Sequence, residues 1–217
     1  MRIKKLKDGF GKLTASKARL IAHLIGDGCV YKCRTDYNIK FEVKDLDLLQ
    51  DFEKDLLAAY RLKPTNGLNP SGKTGVLIPY VRLRSKKAFE DLKTYCEFDS
   101  RHWTVPIQIK NSNPRIKREF LRALFDDEGS VIPYGKSAII RLYSINLLGL
   151  TQIQQITDEM EIYSRIIAGF GLKRNIYALT IKDIWKFYKM INFRCSRKQI
   201  RLMEFLKKKA DQVRTHT

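Results

Sequence analysis

The chain is poor in the residues that build metal clusters. Its 217 residues include four cysteines and three histidines. Cys29 and Cys33 can lie on one face of a strand, but no second Cys or His pair follows with the spacing of a zinc finger. We therefore expect reduced, partly buried thiols rather than a structural zinc site.

The chain also lacks a long hydrophobic run. No apolar stretch approaches the roughly 20 residues that span a bilayer, and the N-terminal sequence MRIKKLKDGFGK is basic without the apolar core of a secretion signal. These absences predict a protein without a membrane segment. We expect it in the cytoplasm or an equivalent compartment, and an organelle is not excluded.

Acidic residues are scarce, with 23 Asp and Glu against 42 Lys and Arg and a net charge of +19. The excess positive charge is spread over the whole chain rather than confined to a tail. This pattern indicates a folded basic surface and a polyanionic partner. Nucleic acid is the first candidate and an anionic membrane the second, while a basic ribosome-bound protein would have similar charge.

Two of the few acids stand in matched settings. Each follows an apolar segment with helical spacing, LIAHLIGD and LRALFDDE, and each is followed at once by glycine and a β-leaning segment. The acids are Asp27 and Glu128, 101 residues apart (128 − 27). An anion at a helix C-terminus opposes the helix dipole, so its repetition favours a functional role over an ordinary surface acid.

Hydrophobic periodicity predicts the order αββαββα twice, which is an internal duplication within an α+β fold. We expect Gly28 to end the first helix in the left-handed region. The expected helix caps Asp45, Ser85, Asn113, Asn146 and Asp183 support the repeat, because Asp45 and Asn146 are 101 residues apart (146 − 45). The predicted helices and strands are helices at 16–27, 45–60, 85–95, 113–128, 146–161, 183–191 and 196–209, and strands at 30–34, 38–44, 76–84, 130–134, 138–144, 163–170 and 175–182, with a loop at 64–75 whose tip joins two strands. We divide the chain into a first half (1–95), a connector (96–112), a second half (113–192) and a basic C-terminal helix and tail (193–217).

On these residues the chain resembles the LAGLIDADG homing endonucleases in their single-chain, two-motif form, and most of all the archaeal intron-encoded members. The resemblance runs from about residue 17 to 191 and rests on the motif pair together with the duplicated element order. It implies two packed motif helices at a pseudo-twofold axis and a saddle-shaped antiparallel sheet that binds DNA. Small residues at the third and seventh motif positions would permit the packing.

The chain departs from this pattern at two positions. Asp127 replaces the small residue at the seventh position of the second motif, so we expect either a splayed helix end or a solvated carboxylate. His23 stands where leucine is usual in the first motif.

The resemblance also assigns the chemistry. Asp27 and Glu128 would be the catalytic acids, and the backbone carbonyls of Gly26 and Asp127 would join them in binding two or more divalent ions, with Mg²⁺ expected. Lys44 matches a basic residue that assists catalysis at the end of the second strand. Ile145 occupies the equivalent place in the second half, so the site is expected to be asymmetric. Two metal ions about 4 Å apart can stabilise both the attacking and the leaving oxygen of a phosphodiester.

The polar strand faces would look into the major groove, which admits a two-stranded ribbon. The basic candidates for DNA contact are Lys32, Arg34, Lys40, Arg82 and Arg84 in the first half and Lys136, Arg141, Arg174 and Lys182 in the second. The alternative for each is a phosphate contact or a solvated surface charge. Strands of about eight residues per half would cover on the order of 15–20 base pairs.

The leading hypothesis is a monomeric, Mg²⁺-dependent endonuclease that cuts both strands of a long DNA site, leaves short 3′ overhangs and serves intron homing. An RNA maturase that binds intron RNA, or a DNA-binding regulator on the same fold, is the alternative. A ribosome-associated protein fits the charge but does not account for the acid-bearing repeats.

Overall fold

The computed structural model describes residues 9–72, 75–135, 137–172 and 174–214, and of residues 209–214 only the backbone. Lys136, one of the basic residues predicted to contact DNA, lies outside the described residues. Within this part of the chain, no helix has both the length and the apolar character needed to cross a membrane.

The first repeat consists of three helices and four strands in the order αββαββα. Its elements are α1 (Ala15–Ile25), β1 (Gly28–Cys33), β2 (Asp36–Glu42), α2 (Leu46–Tyr60), β3 (Thr65–Pro70), β4 (Leu77–Arg84) and α3 (Lys86–Lys93). The strands form one antiparallel sheet in the order β1-β2-β4-β3. Strand β3 occupies half of the segment 64–75 that the sequence analysis assigned to a loop. The strand was missed because its Gly, Asn and Pro residues carry little strand propensity.

The second repeat has the same order and the same sheet. A short helix, α4 (Ile107–Lys110), precedes it within the connector. Its elements are α5 (Pro114–Glu128), β5 (Gly129–Tyr134), β6 (Ser137–Ser144), α6 (Leu147–Glu159), β7 (Ser164–Phe170), β8 (Ile176–Ile181) and α7 (Ile184–Met190), and α8 (Ser196–Arg214) follows. The strand order β5-β6-β8-β7 repeats that of the first sheet. The predicted duplicated α+β architecture is confirmed.

Side-chain caps define most helix starts as predicted. The side chains of Ser85, Asn113, Asn146 and Asp183 each accept a backbone N–H of the following first turn, which satisfies donors that the helix leaves open. The prediction for Asp45 was wrong in this respect. Its side chain makes no cap hydrogen bond, because the carboxylate instead pairs with Arg197, with Arg197 Nη2 and Asp45 Oδ2 2.9 Å apart.

The two motif helices α1 and α5 pack against each other at the centre of the molecule. Apolar residues along both helices, among them Leu20, Ile21, Leu121 and Leu124, are completely or almost completely buried. At the N-terminal ends of the helices, Arg19 of α1 forms ion pairs with Asp55 of α2 and with Glu119 of α5. The pairs are mostly buried, so the two repeats are joined by charge as well as by apolar contact.

The glycines that follow the two acids occupy positions where a side chain would not fit. A Cβ atom on Gly28 would lie 2.8 Å from the His23 carbonyl oxygen, and one on Gly129 would lie 2.3 Å from the Phe125 carbonyl oxygen. The prediction that Gly28 ends α1 in the left-handed region was wrong. Gly28 begins β1, and Gly26 ends the helix with φ −77°. Each strand therefore leaves its helix so sharply that the first strand residue touches the last helical turn.

We predict that Gly129→Ala destabilises the fold by about 2–3 kcal/mol, because the new methyl group meets backbone that cannot rotate away. Gly72→Ala is the matched control, since a Cβ there meets no atom within 4 Å. Urea unfolding of both variants measures the difference. Equal stability of the two variants would show that the strand can pull away from the helix end at little cost.

Candidate active site at the motif helix ends

The two predicted catalytic acids lie at the ends of the packed helices. Glu128 is the last residue of α5, and Asp27 follows the end of α1 and is exposed. The charge of Asp27 raises the pKa of both Glu128 and Asp127. The three carboxyl groups therefore form one cluster, which we call the acid cluster.

Burial is the main cause of the raised pKa values in this cluster. Removal from water, together with the charges of Asp27 and Asp127, raises the pKa of Glu128 from 4.5 to about 7, while Lys198 acts in the opposite direction. Partial desolvation also raises the pKa of Asp27, against the lowering effects of Lys198 and His23. Carboxyl groups with pKa values raised in this way are common where a protein performs acid–base chemistry or binds a cation.

His23 and Asp127, the two residues that depart from the motif pattern, contact each other. The Asp127 side chain is completely inaccessible to solvent, and His23 Nδ1 lies 3.0 Å from both of its carboxylate oxygens. The expectation of a splayed helix end or a solvated carboxylate was therefore wrong. Burial lowers the pKa of His23 to about 4 and raises the pKa of Asp127 well above 3.8, as expected for groups held away from water.

Gly26 makes room for this pair. A Cβ atom on Gly26 would lie 2.7 Å from both Cβ and Oδ2 of Asp127. The space that two small residues would share at the seventh motif positions is thus taken by one glycine and one aspartate. His23 then supplies the polar partner that a buried carboxyl group needs.

A lysine that sequence reasoning missed lies beside the acids. Lys198, on α8, is buried and donates from Nζ to the backbone carbonyls of Phe125, Asp126 and Asp127, with the last at 2.9 Å. Burial lowers the pKa of Lys198, and the Asp127 carboxyl group acts the other way. Its ammonium caps the C-terminal end of α5, where backbone carbonyls lack donors from within the helix.

The segment before α8 is fixed to α5 and α2 by acidic side chains. Asp126 Oδ1 accepts the backbone N–H groups of Arg194 and Cys195, each at 2.9 Å, while Asp126 Oδ2 has no hydrogen-bond partner among the described residues. Burial raises the pKa of Asp126 to about 7. On α2, Asp51 binds Arg194, and Asp47 accepts the N–H of Ser196 at 2.7 Å.

Asp45, Asp47 and Cys195 are the three potential metal ligands whose donor atoms converge among the described residues. The carboxylates of Asp45 and Asp47 already bind Arg197 and the Ser196 N–H, so these contacts account for the group without a metal ion. All four cysteines are free thiols: Cys96 and Cys195 are buried, Cys29 is half-buried and Cys33 is exposed.

The predicted catalytic lysine and its counterpart occupy different environments. Lys44 is exposed and lies two residues beyond β2. Ile145 lines a cavity of about 260 Å³ together with Glu128, Trp103 and Tyr143. The second half therefore places an apolar residue beside its acid. In the first half the charges that act on Asp27 are those of Lys198, His23 and Asp45, and Lys44 is not among them.

The donor atoms of the acid cluster suit a divalent cation in the first half. Mg²⁺ prefers hard oxygen ligands and keeps several waters, and Asp27 offers an exposed carboxylate next to the Gly26 carbonyl. In the second half, Glu128 offers a carboxylate, but the Asp127 carbonyl already accepts a hydrogen bond from Lys198. The two halves thus differ in their ability to hold a metal ion.

The first sheet places a row of polar residues on the face opposite its helices. Lys40 lies opposite Arg82 in the strand register, and Arg82 lies opposite Thr65. Lys40 and Arg82 both contact the Tyr80 ring, at 4.7 and 5.5 Å from its centroid, while Ile39 and Phe41 are buried on the other face. Arg84 shares the polar face and lies 4.0 Å from Asp36.

Two other predicted DNA contacts of the first half lie near the β1–β2 turn. Lys32 pairs in register with Tyr37 and so shares the face of Ile39, with its ammonium 5.1 Å from the Tyr37 ring centroid. Arg34 is in the turn itself, with φ 53°. Both side chains are exposed at the tip of the hairpin.

The second sheet carries the equivalent row. Arg141 lies opposite Thr180, and Thr180 lies opposite Arg165. These residues line a cavity of about 340 Å³ together with Lys182 and Tyr134. Arg174 is exposed in the β7–β8 turn with φ 51°. The sequence analysis missed Arg165 and Thr180. Each lies in a strand at a position that register pairing places beside Arg141 or its partner, so the alternation of the strands contained the signal.

Comparison with known proteins agrees with the duplicated fold. Residues 115–192 match a family model described as a LAGLIDADG-like domain. The structure is similar to that of I-DmoI in complex with DNA and Mn, with a TM-score of 0.60, 17% identity, and coverage of 82% of this chain and 96% of that one. No curated protein matches the sequence.

Two further solved structures are similar. The homing endonuclease I-WcaI bound to its DNA recognition sequence gives a TM-score of 0.59 at 18% identity, covering 82% of this chain and 80% of that one. The N-terminal LAGLIDADG domain of DUF199/WhiA gives 0.55 at 16% identity, covering 83% and 81%. The chain thus has the fold of the single-chain LAGLIDADG structures, and its second repeat is similar to a LAGLIDADG-like domain.

We predict that His23 and Asp127 are energetically coupled. His23→Leu should destabilise the protein by about 2–3 kcal/mol, because it leaves a buried carboxyl group without its partner. The double variant His23→Leu/Asp127→Ala should be more stable than the sum of the single effects by about 1–2 kcal/mol. Urea unfolding of the four proteins measures this coupling energy. Additive effects would show that the two side chains are merely adjacent.

We also predict that Glu128→Gln stabilises the protein as the pH rises. The pKa of Glu128 in the folded protein, about 7, exceeds the ordinary 4.5, so the folded state holds a proton that the unfolded chain releases. The stability from that proton is complete below about pH 4.5 and is lost as the pH rises through 7. The variant should gain about 1–3 kcal/mol over wild type between pH 5 and pH 8 in EDTA.

Chemical denaturation at the two pH values gives this difference. Asp126 titrates in both proteins, so subtraction removes its contribution. The exposed Glu90→Gln is the control and should show the same offset from wild type at both pH values. A gain that does not grow with pH would place the Glu128 carboxyl group in ordinary solvent.

Proposed function

We propose that the protein is a site-specific endonuclease that hydrolyses both strands of double-stranded DNA with divalent metal ions. One observation carries this proposal: two acids from duplicated helices meet at the axis between two sheets, each of which presents a basic row on its outer face. A cleavage centre between two DNA-binding faces is the arrangement that a long, quasi-symmetric site requires.

In this mechanism each acid serves one strand. Asp27 and the Gly26 carbonyl would hold a divalent ion in the first half, and the Glu128 carboxylate would be the ligand that the second half offers. Such ions would stabilise charge on the attacking and leaving oxygens of the phosphodiester. Asp27 and Glu128 would bind such an ion in their ionised forms, and its positive charge would favour those forms over the protonated ones. Lys44 would orient or polarise a water molecule in the first half.

DNA recognition is assigned to the two rows of polar residues. Arg82 and Arg84 in the first half and Arg141 in the second have the forked geometry that binds guanine in the major groove. Arg165 and Thr180 add to the second row. Lys32, Arg34, Arg174 and Lys182 would contact phosphates at the ends of the site, where contacts position the protein rather than specify sequence.

Comparison with solved proteins supports this assignment at the level of the fold. The similar structures of I-DmoI contain DNA together with Mn or Ca, and another variant contains its target DNA with Mg. We infer for this chain a divalent ion, with Mg²⁺ as the physiological choice, short 3′ overhangs, a role in intron homing, and action as a monomer because both acids belong to one chain.

A binding protein without cleavage activity is the second candidate. It is favoured by the second half, where Ile145 replaces the strand-end cation and Lys198 already binds the Asp127 carbonyl. An RNA maturase or a DNA-binding regulator would need the basic rows but not the acid cluster.

The test is cleavage of a randomised duplex library with Mg²⁺ and with EDTA, followed by sequencing of the ends. We expect one long site, cut on both strands only with Mg²⁺. Asp27→Asn and Glu128→Gln should each slow double-strand cleavage on the order of 10²-fold or more, with DNA affinity in Ca²⁺ unchanged. Asp158→Asn, an exposed acid on α6, is the matched control.

Salt-sensitive binding without cuts under any metal would instead support the maturase or regulator, and intron RNA would then be compared with DNA as the ligand. Loss of binding together with loss of cleavage in both acid variants would point to a folding defect.

A further inference from the structure

The ammonium of Lys198 lies at the position where the second half of the site would hold a cation. It donates to three successive carbonyls at the end of α5, those of Phe125, Asp126 and Asp127. A protonated lysine has three N–H donors, so its hydrogen bonds match the three acceptors. The Asp127 carbonyl is also the oxygen that a metal ion would need in this half.

The position of Lys198 is fixed by its neighbours on both repeats. The backbone of Arg194 and Cys195 is bound by Asp126 of α5, and Ser196 and Arg197 are bound by Asp47 and Asp45 of α2. Lys198 itself is 9% exposed. The ammonium therefore does not sample solvent as an ordinary surface lysine does.

Among the described residues, no lysine or arginine holds the end of α1 in the same way. Helix α8 follows the second repeat, whereas the first repeat is followed by the connector. The side-chain hydrogen bonds of the described residues include none to the Gly26 carbonyl. The charge of Lys198 acts on Asp27 and on Glu128, so one lysine partly neutralises the acid cluster from the second side alone.

We propose that Lys198 supplies the fixed cation of the second half of the site, so that a divalent ion binds mainly through Asp27 and the Gly26 carbonyl. This inference rests on the proposed function. Lys198 is a positioning residue in this scheme: it holds the Asp127 carbonyl and the end of α5, and it repels a second cation. A divalent ion at Glu128 would have to share a carbonyl with an ammonium, and like charges at that distance repel strongly.

The test measures Mn²⁺ binding to the free protein. The electron paramagnetic resonance signal of the unbound Mn²⁺ reports how much metal is bound. In the wild-type background, Asp27→Asn should weaken binding about tenfold or more, while Glu128→Gln should change it less than about twofold. In the Lys198→Met background, Glu128→Gln should weaken binding about tenfold, because the Asp127 carbonyl is then free to join Glu128 as a ligand.

The controls separate charge from structure. Lys198→Arg keeps the charge and should preserve the unequal dependence on the two acids, and Lys207→Met removes an exposed lysine from the same helix and should change nothing. Thermal unfolding shows whether Lys198→Met is folded. If it is not, the comparison of Asp27→Asn with Glu128→Gln in the wild-type background decides the question by itself.

Equal dependence of Mn²⁺ affinity on Asp27 and Glu128 in the wild-type background would overturn the inference. So would a folded Lys198→Met protein in which Glu128→Gln still has no effect. The Mn²⁺ measurement requires neither DNA nor cleavage, and the library experiment tests the proposed nuclease function separately. Failure of this inference can therefore be told apart from failure of the proposed function. If cleavage is found, Lys198→Met should slow the cutting of one strand more than the other.

Discussion

Gly26 and Asp127 face each other where α1 and α5 cross, and the space between them admits only one side chain. This contact sets how closely the two helices approach, and with it the separation of the two acids. The Asp127 carboxyl group fills the space and is itself held by His23, so packing and hydrogen bonding depend on the same three residues. At the opposite end of the helices, Arg19 joins Asp55 and Glu119 across the repeats. The axis is thus held at both ends by polar contacts in a largely apolar interface.

Three carboxyl groups at one helix crossing are a source of instability that the fold counteracts locally. Burial raises the pKa of Asp127 and of Glu128, and the charge of Asp27 adds to the effect on both. Lys198 and the backbone N–H groups near them act in the opposite direction. A site that is unfavourable when empty and ionised is well suited to bind cations, because a bound ion relieves the repulsion. The same reasoning explains why a neutral side chain at Glu128 should favour folding.

Local sequence signals predicted the elements better than the contacts between them. The Asn113-Pro114 start and the Glu128 end of α5 were correct because capping and helix periodicity are properties of neighbouring residues. The duplicated order followed from the same signals. The burial of Asp127 could not be predicted in this way, because its partner His23 lies 104 residues earlier (127 − 23), and each looks unfavourable when considered alone.

The same limit applies to other residues. Asp45 was expected to cap α2, and only the folded chain shows that Arg197 claims its carboxylate. Gly28 was assigned to a left-handed turn because that is the commonest use of glycine at a helix end, whereas here it is the contact with the His23 carbonyl that excludes a side chain. Lys198 had no sequence signature at all, since its role depends on three carbonyls some 70 residues away. The roles of Asp27, Glu128 and Lys44 in catalysis stay predictions.

The contacts of residues 194–198 also bear on how the protein is made. A ribosome delivers both repeats before it delivers this segment, and a domain can begin to fold as it emerges. Until residue 198 has left the ribosome, the end of α5 has no ammonium at its carbonyls, and Asp45, Asp47 and Asp51 have no partners from the far end of the chain. The surroundings of the acid cluster are therefore completed last, after the basic faces of the two sheets have formed. A chain that stops short of α8 would carry the basic faces without a finished centre between them.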